Sequence, residues 1–220
     1  TSPMVRIVAA ASRQIDTARA FADAVGIGRA HGSYEALLAD TGVDAVYLPL
    51  PNSLHAEWAI RAAEAGKHVL CEKPLALNRA EAQAMFDAAR HHGVMLLEAY
   101  PYWFQPQTGD LLKLLHGGAI GTVRSVQASF GFNLQNASGN IRLNPDLGGG
   151  ALLDAGSYPL SLIRLVMGDA PQRVLAESRP APSGVDIGTT ATLLWDDGRR
   201  AQMACAMDAA MHRRASIVGT

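Results

Sequence analysis

The chain has 220 residues, 49% of them hydrophobic, which is enough apolar material for one large domain or two small ones. Nineteen basic against twenty acidic residues leave a net charge of -1, which argues against a nucleic-acid or anionic-membrane partner held by bulk electrostatics. Cys71 and Cys205 cannot form a framework of bridges, and no apolar run approaches the roughly 18 residues that cross a bilayer, so the expectation is a globular protein of the cytoplasm with reduced thiols. The sequon at Asn136, Ala137 and Ser138 is then incidental.

Residues 4–11 are apolar without a polar face, as in a strand covered on both sides, and Ser12 and Arg13 end the run. Asp16 is placed to cap a helix that carries Phe21, Ala22 and Val25 on one face and closes at Gly26. The same grammar repeats. A strand at 44–48 leads through Pro49, Leu50, Pro51 and Asn52 to a helix capped by Ser53 and ended by Gly66. A strand at His68–Glu72 leads through Lys73 and Pro74 to a helix with an Asn78/Glu81 capping box and Gly93 past its end, and 94–98 is one more strand. Strands alternating with helices predict right-handed crossovers and a parallel sheet, a partial Rossmann-type α/β domain over residues 1–99.

The pattern changes after residue 100. A helix at 108–116 precedes a strand at 122–132, a helix starts near Asp154 with Pro159 in its first turn, and β-like runs follow at 173–177 and 189–195. Asp196, Asp197 and Gly198 then turn into a strand at 200–207, and residues 217–220 are strand-like again. Hairpin-linked strands predict an α+β domain over 100–220 with an open, mainly antiparallel sheet.

The candidate chemistry begins at Lys73, which follows an apolar strand and precedes a proline; a lysine there opens into the crevice where parallel α/β sheets bind ligands. Its alternative is a surface lysine. Asp154 and Tyr158 are four residues apart and on a helix share a face, although Tyr158 also suits a core position. Ser12 and Arg13 stand where an acidic residue would bind adenosine ribose hydroxyls, and that replacement suits a 2′-phosphate; the alternative is a solvated loop. Gly26 and Gly28 do not complete a Gly-x-Gly-x-x-Gly loop and fit a helix C-cap better, while Gly148, Gly149 and Gly150 suggest close backbone approach. Asn52 and His55 serve equally as turn and cap residues. Tyr100, Tyr102, Trp103 and Phe104 are core or a sugar-stacking wall, with core preferred, and Cys71 is a buried strand thiol rather than a nucleophile. His91 and His92 suit a helix C-terminus, and no ligand spacing predicts a metal.

Leu50, Pro51, Asn52 and His55, then Glu72-Lys73-Pro74, then the glycines at 148–150 with Asp154 and Tyr158, closely resemble the signatures of the glucose-fructose oxidoreductase, inositol dehydrogenase and rhizopine-catabolism (Gfo/Idh/MocA) oxidoreductases. The resemblance runs through nearly all of the chain. It implies an N-terminal Rossmann domain and a C-terminal open-sheet domain with NAD(H) or NADP(H) bound between them, and a homo-oligomer built through the open face of that sheet. It further implies that Lys73 and Tyr158 are the catalytic pair, that Asp154 orients the substrate or the tyrosine, that Asn52, His55, Glu72 and Pro74 border the nicotinamide, and that Leu50 and Pro51 are also cofactor-binding. Tyrosine at 158 resembles the glucose-fructose oxidoreductase, dihydrodiol dehydrogenase and NADP-dependent xylose dehydrogenase branch, in keeping with Ser12 and Arg13 favouring NADP. Arg142 resembles a position near the cofactor where that branch often has an aromatic-arginine pair, here without the aromatic residue. The family's first strand with its glycine-rich loop and its last C-terminal strands have no counterpart in the 220 residues, so the complete protein is expected to extend further at both ends. The expected activity is hydride transfer between nicotinamide and a sugar, polyol or related hydroxyl or carbonyl group. A glycosidase of the same fold using NAD, and a noncatalytic nucleotide-binding subunit, are the alternatives.

Overall fold

The computed structural model describes residues 4–135 and 138–220, so Asn136 and Ala137 of the sequon lie outside the described residues. The chain forms two compact units, one comprising residues up to Leu50 with Leu54–Ala99, the other Pro51–Ser53 with Tyr100–Thr220.

In the first unit, β1 (Ala9–Ala11) pairs in parallel with β2 (Arg29–His31), the two connected through α1 (Ile15–Val25). After the short α2 (Tyr34–Leu38) come β3 (Ala45–Leu48), α3 (His55–Glu64), β4 (His68–Glu72), α4 (Arg79–His91) and β5 (Leu96–Ala99), which give a three-stranded parallel sheet in the order β3-β4-β5. Leu48 pairs with Cys71 and Cys71 with Glu98, so the carboxyl ends of all three strands share one edge. Val46, Val69 and Cys71 point into a core with Ala59 and Ala62 of α3 and Met85 of α4. Burying a side chain of the size of valine or methionine contributes about 1.5–3 kcal/mol, and this small cluster is what holds the edge in shape.

Several boundaries differ from the sequence expectation. The strand expected over 4–11 forms only at its last three residues, and Met4, Val5 and Ile7 are exposed. An apolar run becomes a strand only where a ladder partner exists, and β2 matches just those three residues. Gln14, not Asp16, stands at the N-cap of α1; Asp16 lies in the first turn, where a carboxylate suits the helix dipole. Ser53 falls inside a 3₁₀ turn, Asn52–Leu54, ahead of α3. The Asn78 cap is as expected, its side chain accepting from the Glu81 N–H at 3.0 Å, and the Glu81 carboxylate reaches back to the Leu77 N–H and to Asn78 Nδ2 at 2.7 Å in place of the Asn78 backbone N–H.

The second unit opens with a 3₁₀ turn (Pro101–Phe104) and α5 (Pro106–His116). Then follow β6 (Ser125–Asn133), two 3₁₀ turns (Ile141–Leu143 and Pro145–Leu147), a π-helical turn (Leu152–Gly156) running into α6 (Ser157–Met167), and β7 (Arg173–Pro180), β8 (Asp186–Leu194), β9 (Arg200–Ala206) and β10 (Asp208–Val218). The sheet order is β10-β6-β9-β8-β7, with β6 and β9 parallel and every other pair antiparallel. Only its last two residues were expected as strand in β10, whose polar and basic middle lies along one edge of the sheet. α6 covers one face, and Ile163 and Met167 meet Val126, Met203 and Met207 in the core of this unit. A Cβ at Gly156 would stand 2.9 Å from Cys205 Sγ, so a side chain there would push Cys205 aside where the π turn lies against β9.

Candidate active site

The first unit places its candidate site residues along the carboxyl edge of β3-β4-β5. Lys73 follows β4 directly, half-buried, and its peptide to the buried Pro74 is cis. Glu72 at the end of β4 is tied sideways to β3: Tyr47 Oη donates to its Oε1 at 2.5 Å, and that bond, with burial and the adjacent charge, pushes the phenol up to about 12. His55 opens α3 with no exposed surface; its Nδ1 lies 2.8 Å from the Pro74 carbonyl oxygen and its Nε2 2.8 Å from that of Leu50. Glu98, on β5, accepts the Leu75 N–H at 2.7 Å. Burial raises this carboxyl above its ordinary range, while the Leu75 N–H and the charge of Lys73 act in the opposite direction. Cys71 is fully buried, its thiol pushed up to about 12 by burial and by the charges of Glu98 and Glu72, which makes it inert as a nucleophile. Ser12 and Arg13 follow β1, with the Ser12 N–H on the His31 carbonyl at 3.2 Å and Arg13 exposed.

The second unit organises Asp154 and Tyr158 by different means. Asp154 sits in the π turn and Tyr158 in the first turn of α6, so the wider π geometry intervenes between them. The start of this helix is anchored by Asp186 of β8, whose Oδ2 accepts the Leu152 N–H at 2.8 Å and the Thr189 hydroxyl at 2.7 Å. Arg142 Nε donates to Asp154 Oδ2 at 2.7 Å, and the Arg142 backbone carbonyl accepts the Gly150 N–H at 2.9 Å. Gly148 is held in the left-handed region, and its carbonyl accepts from Asn52 Nδ2 at 2.8 Å. At Gly149 a Cβ would lie 2.5 Å from the Arg142 oxygen, which excludes any side chain. The half-buried Tyr158 ring stands edge-on to Tyr100 and to Phe130, with both centroid separations 5.4 Å. Tyr102 shares a 2.6 Å hydrogen bond with Ser161 one turn further along α6, and Trp103 Nε1 donates to the same hydroxyl at 3.3 Å. Tyr100 is buried in this aromatic cluster, whereas Trp103 and Phe104 keep large exposed faces.

Lys73, His55, Glu72 and Pro74 therefore belong to the first unit with Leu50, Ser12 and Arg13; Asp154, Tyr158 and Arg142 belong to the second with Pro51 and Asn52. Sequence reasoning missed Glu98, Asp186 and Ser161 as supports. Glu98 carried a signal, since a carboxylate ends an apolar strand there just as Glu72 does on β4. Asp186 and Ser161 acquire their partners only through tertiary packing. Among the described residues no group of three or more histidine, cysteine, aspartate or glutamate side chains is arranged to hold a metal ion, and no helix is long and apolar enough to cross a membrane.

Residues 1–100 match the family model described as an oxidoreductase family with an NAD-binding Rossmann fold, and residues 110–220 match the Gfo/Idh/MocA C-terminal domain. Among curated proteins, the chain is 45% identical over 201 residues to an NADP-dependent D-xylose 1-dehydrogenase of Haloferax volcanii, covering 91% of this chain and 61% of that protein. It is 38% identical over 216 residues to a trans-1,2-dihydrobenzene-1,2-diol dehydrogenase of Danio rerio, covering 98% of this chain and 64% of that one. A solved 3-ketoreductase of Actinomadura kijaniata, in complex with NADP and TDP-benzene, superposes with a TM-score of 0.91 at 39% identity over 100% of this chain and 67% of its own. The chain thus spans a little under two thirds of the length of curated relatives such as the xylose dehydrogenase, at 61%, and the diol dehydrogenase, at 64%. With two family models matched in succession over these two units, the chain belongs to the Gfo/Idh/MocA oxidoreductase family.

Proposed function

We propose that the complete protein is an NADP-dependent oxidoreductase that interconverts a hydroxyl and a carbonyl group on a sugar-like or polyol-like substrate. The observation that carries this reading is Lys73 at the carboxyl edge of the parallel sheet, its turn held by His55 and Glu98, in a chain with an NADP-dependent xylose dehydrogenase among its relatives. The residues present fit the cofactor. Arg13, exposed just past β1, suits a 2′-phosphate, and the turn at Glu72, Lys73 and Pro74 together with Leu50, Pro51 and Asn52 suits the nicotinamide end. Bound nicotinamide would supply or accept the hydride at the carbon that bears the reacting oxygen.

The chain's own residues carry the proton. A phenol of ordinary pKa, about 10, is a weak base near neutrality, and a nearby ammonium favours its phenolate. Lys73 is assigned that task, Tyr158 takes the proton from the substrate hydroxyl or returns it in the reverse direction, and Asp154 hydrogen-bonds the substrate. Arg142 keeps the Asp154 carboxylate oriented through its 2.7 Å bond. The edge-on rings of Tyr100 and Phe130 restrict the orientation of Tyr158, so the phenol spends less time in unproductive rotamers.

The test is a panel of aldoses, polyols and their carbonyl counterparts, assayed with NADP and NAD on the complete protein. Reduction of NADP by at least one aldose or polyol is expected. NADPH binding without turnover of any compound would instead indicate a noncatalytic subunit, and nitrophenyl-glycoside hydrolysis without added cofactor a glycosidase.

A further inference from the structure

The Pro74–Leu75 peptide, which directly follows Lys73, is contacted on both of its polar ends by side chains from different elements. Its carbonyl oxygen lies 2.8 Å from His55 Nδ1 of α3, and its N–H donates to Glu98 Oε1 of β5 at 2.7 Å. The His55 ring, with no exposed surface, is also 2.8 Å from the Leu50 carbonyl, so one imidazole ties the loop after β3 to the turn after β4. We propose that Glu98 and His55 are positioning residues for Lys73, gripping this peptide from its two sides, with the Glu98 carboxylate also serving as local counter-charge to the Lys73 amine.

The inference rests on the reading of Lys73 as the catalytic lysine. A purely structural need at the Leu75 N–H is met by any neutral acceptor, whereas a carboxylate here carries a desolvation cost. Burial raises the Glu98 carboxyl, and of the groups that act on it Lys73 is the charge that favours its ionised form. The other titratable groups on this edge are engaged with other partners. From β4, Cys71 is fully buried, and Glu72 receives the Tyr47 hydroxyl of β3 on one oxygen and the Lys73 backbone N–H at 3.3 Å on the other. From α3, His55 directs both ring nitrogens at the carbonyl oxygens of Pro74 and Leu50, and it is not among the groups that act on Glu98. Lys73 is thus the group whose charge matches that of Glu98, and the carboxylate holds both its backbone turn and its electrostatic surroundings.

Glu98→Gln in the complete protein separates charge from shape, because the amide oxygen still accepts the Leu75 N–H. The expected result is a kcat about tenfold lower near neutrality, with the KM for NADP within about twofold of wild type, and loss of the acid limb that the wild type shows as Glu98 takes up its proton. A wild-type kcat and pH profile in Glu98→Gln would overturn the proposal. Two further measurements do not depend on turnover. Leu75 amide exchange should accelerate at least tenfold in Glu98→Ala but not in Glu98→Gln, and the carbon-13 titration midpoint of the Glu98 carboxyl should rise in Lys73→Met. An unmoved midpoint, or Leu75 exchange indifferent to Glu98→Ala, would overturn the assignment. Wild-type turnover in Lys73→Met would instead remove the catalytic role of Lys73, and the titration and exchange results would still decide what Glu98 does.

Discussion

Arg13 and Asp154 show how differently single charged residues are treated in this molecule. Arg13 is exposed just beyond β1, where a flexible guanidinium can close on an anion when one arrives. Asp154 is committed instead, with its side chain only 15% exposed and Arg142 Nε 2.7 Å from one oxygen. The first arrangement suits recognition of a phosphate that distinguishes two cofactors, and the second suits a carboxylate that must keep one orientation. Arg13→Ala is expected to raise the KM for NADP about tenfold, the loss of one charge-assisted hydrogen bond, while leaving the KM for NAD within about twofold. Steady-state kinetics with both cofactors on the complete protein check this; equal losses for the two would remove Arg13 from the 2′-phosphate.

At the scale of elements, α4 is a helix whose beginning is written into the sequence. Asn78 caps it through the Glu81 N–H, and Asn78→Ala should lower stability by about 1 kcal/mol, seen as a lower urea midpoint with an unchanged m-value. The same legibility holds for β4, an apolar run bounded by Gly66 and by Lys73-Pro74, whose limits in the structure are His68–Glu72 as expected. It fails for β2, because Arg29-Ala30-His31 is too short to show a period and has no β-branched residue, and it becomes a strand only through its ladder with β1. It fails too for the π turn. Pro159 placed a helix start near Asp154, but the extra residue in the turn accompanies its packing against β9, with Cys205 and Met203 around Gly156. Of the candidate site, Lys73, Asp154 and Tyr158 can be singled out from the sequence by residue type and position. Their supports were not, since the Glu98 bond to Leu75 depends on the register that sets Cys71 opposite Glu98, and the ring of aromatic neighbours around Tyr158 depends on β6 and the Tyr100 segment reaching α6.

Across the whole molecule, the two units have separate cores, one formed around Val46, Val69 and Met85 and the other around Val126, Ile163 and Met203. The proposed chemistry is divided between them, with Lys73 in the first and Asp154 and Tyr158 in the second. A lysine and a tyrosine that act together as proposed work only as a unit, and the signature of that is energetic non-additivity. The most direct measurement is the turnover of Lys73→Met, Tyr158→Phe and the double variant in the complete protein, alongside NADPH dissociation constants. Each single variant is expected to lose about a hundredfold or more in kcat with NADPH binding within about threefold of wild type, and the double variant to be no slower than the slower single. Losses that multiply in the double variant, or turnover retained in Tyr158→Phe, would contradict a shared lysine–tyrosine site.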